Sequence, residues 1–324
     1  MSEQLDQEVD LVETACAEKS TNDDNYVFQA YDLTKVYSRK KVVNNINMSI
    51  RKGEIYGFIG KNGAGKTTTI KMISGLTSPT KGYVELFGSK NLCKGRKKIG
   101  TIIESPALYP YMTARQNLET QRILRGVEDK SVVDELLGIV GLQNVGKKKA
   151  KNFSLGMKQR LAIALALVGN PEFLLLDEPI NGLDPSGIKE VRELILKLNR
   201  EAGITVLISS HFLGELYKMA TSYGVICDGE LVAQFSAEEL HQRVKSCVRL
   251  VVDDPESAIE VINAKFGETE INVKDNTLLV YGLDDRIIEL NSALEESDVK
   301  VKSFVKDDGD YENYFIDLMN GGQK

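Results

Sequence analysis

Gly60 to Thr67 reads GKNGAGKT, and it sits between the apolar run IYGFI (55–59) and the stretch TTIKMISGL (68–76). The spacing G-x-x-x-x-G-K-[ST] between a strand and a helix is that of a loop that cradles phosphates. Gly60, Gly63 and Gly65 let backbone N–H groups turn inward, those of Asn62 and Ala64 among them, and the positive end of the following helix strengthens the pull on an anion. Lys66 can reach the β and γ phosphates, the Thr67 hydroxyl suits Mg²⁺, and Thr68 is the next side chain able to touch phosphate. Apolar positions at helical spacing run on to Gly75, with SPT beyond as a stop. A chance glycine-rich turn would lack this strand–loop–helix frame.

Further along, FLLLDEP (173–179) is an apolar strand that ends in two acids. Adjacent carboxylates at a buried strand end are costly as structure and useful at a phosphoryl-transfer site. Asp177 is placed to hold Mg²⁺ through water, and Glu178 to polarise the attacking water. Together with the loop they predict a nucleoside triphosphatase. No N-K-x-D motif for reading guanine is present.

Strands are expected at VFQAYDLTKVY, NNINMSI and EIYGFIG, and again at FLLLDEP, ITVLISS and YGVICDGELVAQF. Helices stand between them, SGIKEVRELILKLNREAG being one, and residues 105–168 read as mostly helical. The class is therefore α/β, with a mostly parallel sheet and a helical insert. Past residue 245 the order of elements becomes βαββαβ, a small C-terminal α+β unit of the split βαβ kind. A last helix, DYENYFIDLMNGG, puts Tyr311, Tyr314, Phe315, Leu318 and Met319 on one stripe, which reads as core packing. The expected domains are an acidic and disordered tail over 1–25, a nucleotide-binding domain over 26–245 with a helical subdomain at about 105–168, and an accessory domain over 246–324.

The net charge of −6 over 324 residues conceals acidic ends and a basic middle: residues 27–245 carry an excess of eleven positive charges. Runs SRKK (38–41), KGRKK (94–98) and KKKAK (147–151) suit an anionic ligand or an anionic membrane surface, or are solvated faces. The longest apolar run, LAIALALV, falls far below the ~20 residues needed to cross a bilayer. The acidic N-terminus has no apolar secretory segment. Four cysteines without a C-x-x-C argue against a disulfide framework or a zinc site.

NFSLGMKQR (152–160) selects among nucleotide hydrolases, since it opens a helix with Ser154 at a plausible N-cap. Here the chain resembles the ATP-binding subunit of an ABC transporter, a RecA-like P-loop NTPase core with a helical insert. Ser154 and Gly156 match that family's S-G-G-Q signature, whereas Leu155 and Met157 depart from it. The resemblance implies ATP and Mg²⁺ as cofactors. It also implies a head-to-tail dimer, homo- or heteromeric, in which the signature of one subunit meets the γ-phosphate held by the other. Tyr37 in LTKVYSRKK matches the aromatic that stacks on adenine. Asp184 in NGLDPSG matches the loop that contacts the opposite subunit, and His211 in ISSHFLGE matches the switch histidine that reaches the γ-phosphate. The match covers residues 27–240, and His241, which lacks such a context, reads as structural.

IGTIIESPALYPYMTARQNL (99–118) then stands out, because Glu104 ends what looks like a buried strand. The family normally has glutamine there, in contact with Mg²⁺ or the attacking water and relaying nucleotide state to the membrane partner. Two roles stay open for Glu104, direct Mg²⁺ ligation and mechanical coupling. Glutamate at this site together with the S-L-G-M-K-Q-R signature is similar to the ATPases of bacitracin-type and lantibiotic self-immunity exporters. The expected protein is thus an exporter ATPase, peripheral on the inner face of the cell membrane and bound to separate transmembrane permease subunits, with loop 105–113 as their docking surface and no nucleic-acid partner. An exporter of another lipid or drug, a soluble non-transport ATPase and a non-hydrolysing ATP sensor are the competing readings.

Overall fold

The computed structural model describes residues 25–244, 247–283, 285–297, 299–307 and 311–319, so the expected disordered tail lies, but for Asn25, outside the described residues. Contacts divide the chain into two units. The first runs up to His211 and takes in Ile226–Val232; the second comprises Phe212–Val225 and the residues from Ala233 onward.

Nine strands are described up to residue 236: β1 (Tyr26–Tyr37), β2 (Lys40–Arg51), β3 (Ile55–Ile59), β4 (Lys81–Leu86), β5 (Ile99–Ile102), β6 (Phe173–Asp177), β7 (Thr205–Ser210), β8 (Ser222–Cys227) and β9 (Glu230–Ser236). β1 pairs antiparallel with β2 and β4 in a three-stranded sheet. The β1–β2 turn is two residues, Ser38 and Arg39, both at positive φ (46° and 72°), the hand that matches strand twist. The run SRKK is therefore divided, with its two lysines opening β2. A six-stranded sheet has the order β5-β6-β7-β3-β8-β9, and its β5–β6, β6–β7 and β3–β7 ladders are parallel. Every residue of β3, β6 and β7 is buried. Parallel strands covered on both faces need continuous apolar runs rather than alternation, which explains FLLL and TVLIS. One core joins Phe28, Leu33 and Ile50 to Phe58, Ile70, Ile73 and Leu207, locking the loop-bearing helix Lys66–Ser74 onto the sheets.

Between β5 and β6 come the helices Ala114–Leu124, Ser131–Ile139 and Leu155–Leu167. Thr113 and Gln116 close a capping box at the first of them. Helix Pro185–Ala202 follows β6; it starts at Asp184 with Pro185 at N1 and stops at Gly203 in the left-handed conformation.

In the second unit β10 (Cys247–Val252), β11 (Ile271–Lys274), β12 (Thr277–Tyr281) and β13 (Val301–Asp307) form an antiparallel sheet of order β11-β12-β10-β13. Helices Pro255–Phe266 and Ile287–Glu296 complete the βαββαβ order. Val248, Leu250 and Val252 alternate inward and pack with Ile262, Leu290 and Leu294. Helix Tyr311–Met319 buries Phe315 against Tyr223 and Phe235 and stacks Tyr311 on Tyr217 at 4.0 Å. His241 shares a 2.9 Å hydrogen bond with the Tyr311 hydroxyl, so the apolar stripe and this histidine both serve packing.

Candidate nucleotide site

Backbone geometry fixes the loop before any side chain does. A Cβ on Gly60 would lie 2.5 Å from the Ile226 carbonyl oxygen, and one on Gly65 would lie 2.7 Å from that of Val42. Gly65 also stands at φ +114°, a conformation open to glycine alone. Gly63 (φ +82°) makes the preceding turn, with Asn62 exposed and Ala64 buried beside it. As N-cap of helix Lys66–Ser74, Gly65 offers no side chain to the first-turn N–H groups. Those donors suit an anion, so the cradle fits a phosphate chain.

Three parallel strands deliver the reactive groups at their C-terminal ends. Lys66, leaving the loop after β3, is 5 % exposed; its Nζ donates to the Gly60 carbonyl at 2.6 Å and pairs with Glu178 at 3.3 Å. Asp177 ends β6, and its Oδ2 accepts from the Thr67 hydroxyl at 2.8 Å. Ser209, on β7, donates to Asp177 Oδ1 at 2.6 Å while its Oγ accepts from the Glu178 N–H at 3.0 Å. Glu178 stands at φ +50°, held there by that bond and a second from its N–H to the Ser209 carbonyl. His211 Nδ1 lies 2.8 Å from Glu178 Oε2. Thr67 and Asp177 thus present hard oxygen donors side by side, the set that suits Mg²⁺. Glu178 is aimed by groups on both sides.

Glu104 departs from the sequence reading. The strand ends at Ile102, and Glu104 lies beyond it at φ +64° with its side chain 65 % exposed. No desolvation penalty therefore attaches to it. Its carboxylate meets Lys71 Nζ at 2.6 Å, and this hydrogen bond is the main cause that raises the Lys71 pKa above its usual value. Lys71 follows Thr67 by one helical turn, on the same face.

Tyr37 is 44 % exposed, with Lys35 Nζ 5.0 Å above its ring. Ser154 and Asp184 are exposed and cap their own helices, accepting from the N–H groups of Met157 and Gly187. These two helix starts adjoin, since a Cβ on Gly156 would lie 3.7 Å from the Gly187 Cα. Lys66, Thr67, Asp177, Glu178 and His211 are therefore gathered into one cluster, with Thr68 half-buried on the same first turn. Ser154, Gly156 and Asp184 form a second surface. The sequence did not single out Ser209 and Lys71, whose side chains meet Asp177 and Glu104. Pairing FLLLD with TVLISS in parallel would have set Ser209 opposite Asp177.

Residues 43–181 match the family described as ABC transporter. The chain is similar to the bacitracin transport ATP-binding protein BcrA of Bacillus licheniformis, with 41 % identity over 91 % of this chain and 98 % of that protein. It is 44 % identical to the lantibiotic transport ATP-binding protein SrtF of Streptococcus pyogenes over 63 % of this chain and 88 % of that one. Among solved structures it resembles a dimeric ATP-binding cassette in a post-hydrolysis state bound to ADP and Pi. The TM-score there is 0.59 at 29 % identity, covering 65 % of this chain and 98 % of the other.

Proposed function

This chain belongs to the ABC transporter family as one of its ATP-binding subunits, and on that premise we propose that it hydrolyses ATP to power export of a bacitracin-like or lantibiotic-like peptide by separate membrane subunits. The observation that carries the reading is the chain of contacts from Lys66 through Glu178 to His211, beside the Thr67–Asp177–Ser209 set. Lys66 and the loop N–H groups hold the phosphates, and Tyr37 offers its ring to adenine. Thr67 and Asp177 would hold Mg²⁺, which neutralises charge that builds on the phosphates. Glu178, steadied by His211, orients the attacking water. Ser154, Gly156 and Asp184 face a second subunit, in keeping with the exposure of Ser154 and Asp184.

The bacitracin relatives support the substrate class, because each similarity spans about nine tenths of this chain and so continues beyond the cassette. Glu104 is read as the coupling residue rather than a metal ligand; its exposure and its pairing with Lys71 support that choice. No helix among the described residues is long and apolar enough to cross a membrane, and attachment at the inner face is assigned to the permease partner. The domain division at 245 and a regulatory or dimer-supporting role for 246–324 belong to this proposal. The test is ATPase activity of the chain reconstituted with its permease. Addition of bacitracin-class peptide should stimulate it, and Lys66→Ala should abolish ATP binding. Full protection of cells against the peptide by Lys66→Ala would overturn the reading.

A further inference from the structure

We propose that the lysine run Lys147–Lys151 and the exposed ring of Tyr111 form a contact surface for anionic lipid headgroups. The proposal is independent of the transported substrate. Of the three basic runs in the sequence, KGRKK is engaged internally: Lys98 pairs with Glu172 at 2.8 Å, and Arg96 donates to the carbonyls of Ile73 and Met72. Among the described residues Lys147, Lys148, Lys149 and Lys151 enter no ion pair, and all but the half-buried Lys149 are exposed. Residues 143–153 contain no acid, and SPALYPYMT (105–113) carries no charge at all.

Backbone bonds fix these two segments against each other. The N–H groups of Ala150 and Lys151 donate to the carbonyls of Met112 and Pro110, at 2.9 and 2.8 Å. Tyr111, 73 % exposed, lies under Lys151 Nζ at 5.0 Å, and Tyr109 beside it is 48 % exposed. Ammonium groups around amphipathic rings make the combination that settles at a membrane–water interface. The residue type also favours lipid over an acidic peptide. All four cations are lysine, a flexible point charge, and none is arginine, whose planar fork reads a fixed carboxylate. A plane of mobile anionic headgroups needs charge density rather than fixed geometry.

Each lysine near an anionic surface strengthens binding roughly fivefold, so removing four should weaken it by at least about tenfold, even with partial engagement. The experiment is co-sedimentation of the full chain with phosphatidylglycerol-containing vesicles and with pure phosphatidylcholine vesicles, at low and at physiological salt. Binding should require phosphatidylglycerol and weaken with salt. It should fall by about tenfold or more when Lys147, Lys148, Lys149 and Lys151 are all replaced by Gln, and should fall further with Tyr111→Ser. A control of equal charge, with Lys40, Lys41, Lys94 and Lys97 replaced by Gln, should keep binding within about twofold. Thermal melting of each variant checks that it is folded. Equal loss in both quadruple variants, or equal binding of the parent to both vesicle types, would overturn the proposal. So would capture of an acidic permease segment through these lysines without any binding to vesicles.

Discussion

Replacing Glu104 by Gln separates coupling from metal ligation. Lys71 and Glu104 are 2.6 Å apart, with side chains 33 % and 65 % exposed. In bulk water a pair at that distance is worth at most about 1.6 kcal/mol, and exposed pairs measured by double-mutant cycles give about 0.2–1 kcal/mol. The folded protein should therefore lose only about 0.5 kcal/mol, a fall in Tm of roughly 1–2 °C. A cycle with Lys71→Met should return a similar coupling energy, shrinking as salt is raised. On the coupling reading Glu104 touches neither metal nor attacking water, so hydrolysis in the purified complex should stay within about twofold, a barrier change of at most about 0.4 kcal/mol. On the same reading, transport should be lost. The assays are phosphate release and peptide export, run on one reconstituted preparation. Wild-type export by Glu104→Gln would refute coupling, and a hundredfold fall in hydrolysis would make Glu104 a metal ligand instead.

Glu178→Gln should bind ATP, lower turnover by about a hundredfold or more, and accumulate as a dimer on gel filtration; normal phosphate release would remove Glu178 as the base. Ser209→Ala leaves the buried Asp177 Oδ1 without its donor, at a cost of about 1–3 kcal/mol that urea denaturation would register, and an unchanged midpoint would count against the network. In the helical insert, Glu119 is held below its usual pKa by Arg122, Asp129 by the N–H and hydroxyl of Ser131, and Asp134 by Arg115. These are depressed carboxylates, so their stabilisation is present above the unfolded range near pH 4 and is lost as pH falls through the lowered native values. Hydrogen exchange over residues 114–139 should accelerate in that acid window while β6 and β7 stay protected; uniform acceleration would contradict the assignment.

Much of this was legible because the loop, the strand ends and the signature helix are local features. GKNGAGKT needs only its neighbours to turn, and Ser154 caps its own helix as its position implied. The βαββαβ order likewise followed from short alternating strands. What escaped reading depends on pairing at a distance. Ser209 reaches Asp177 only when β7 lies beside β6, and Lys71 meets Glu104 only because the chain leaves β5 at Ile102. The run IGTII promised a longer buried strand than the β5–β6 ladder, which ends at Ile102↔Leu176, supplies.

β6 and β7 are buried along their whole length, so neither strand tells one of its faces from the other by polarity. Slippage by one residue would leave apolar contacts nearly as good. Asp177 opposite Ser209 is one position where slippage carries a penalty, because a misaligned β7 would strand a buried carboxylate oxygen without its donor. The Asp177–Ser209 contact therefore also favours the native register of the parallel sheet during folding. A chain that closes its sheet wrongly is penalised at the same carboxylate that is proposed to hold Mg²⁺.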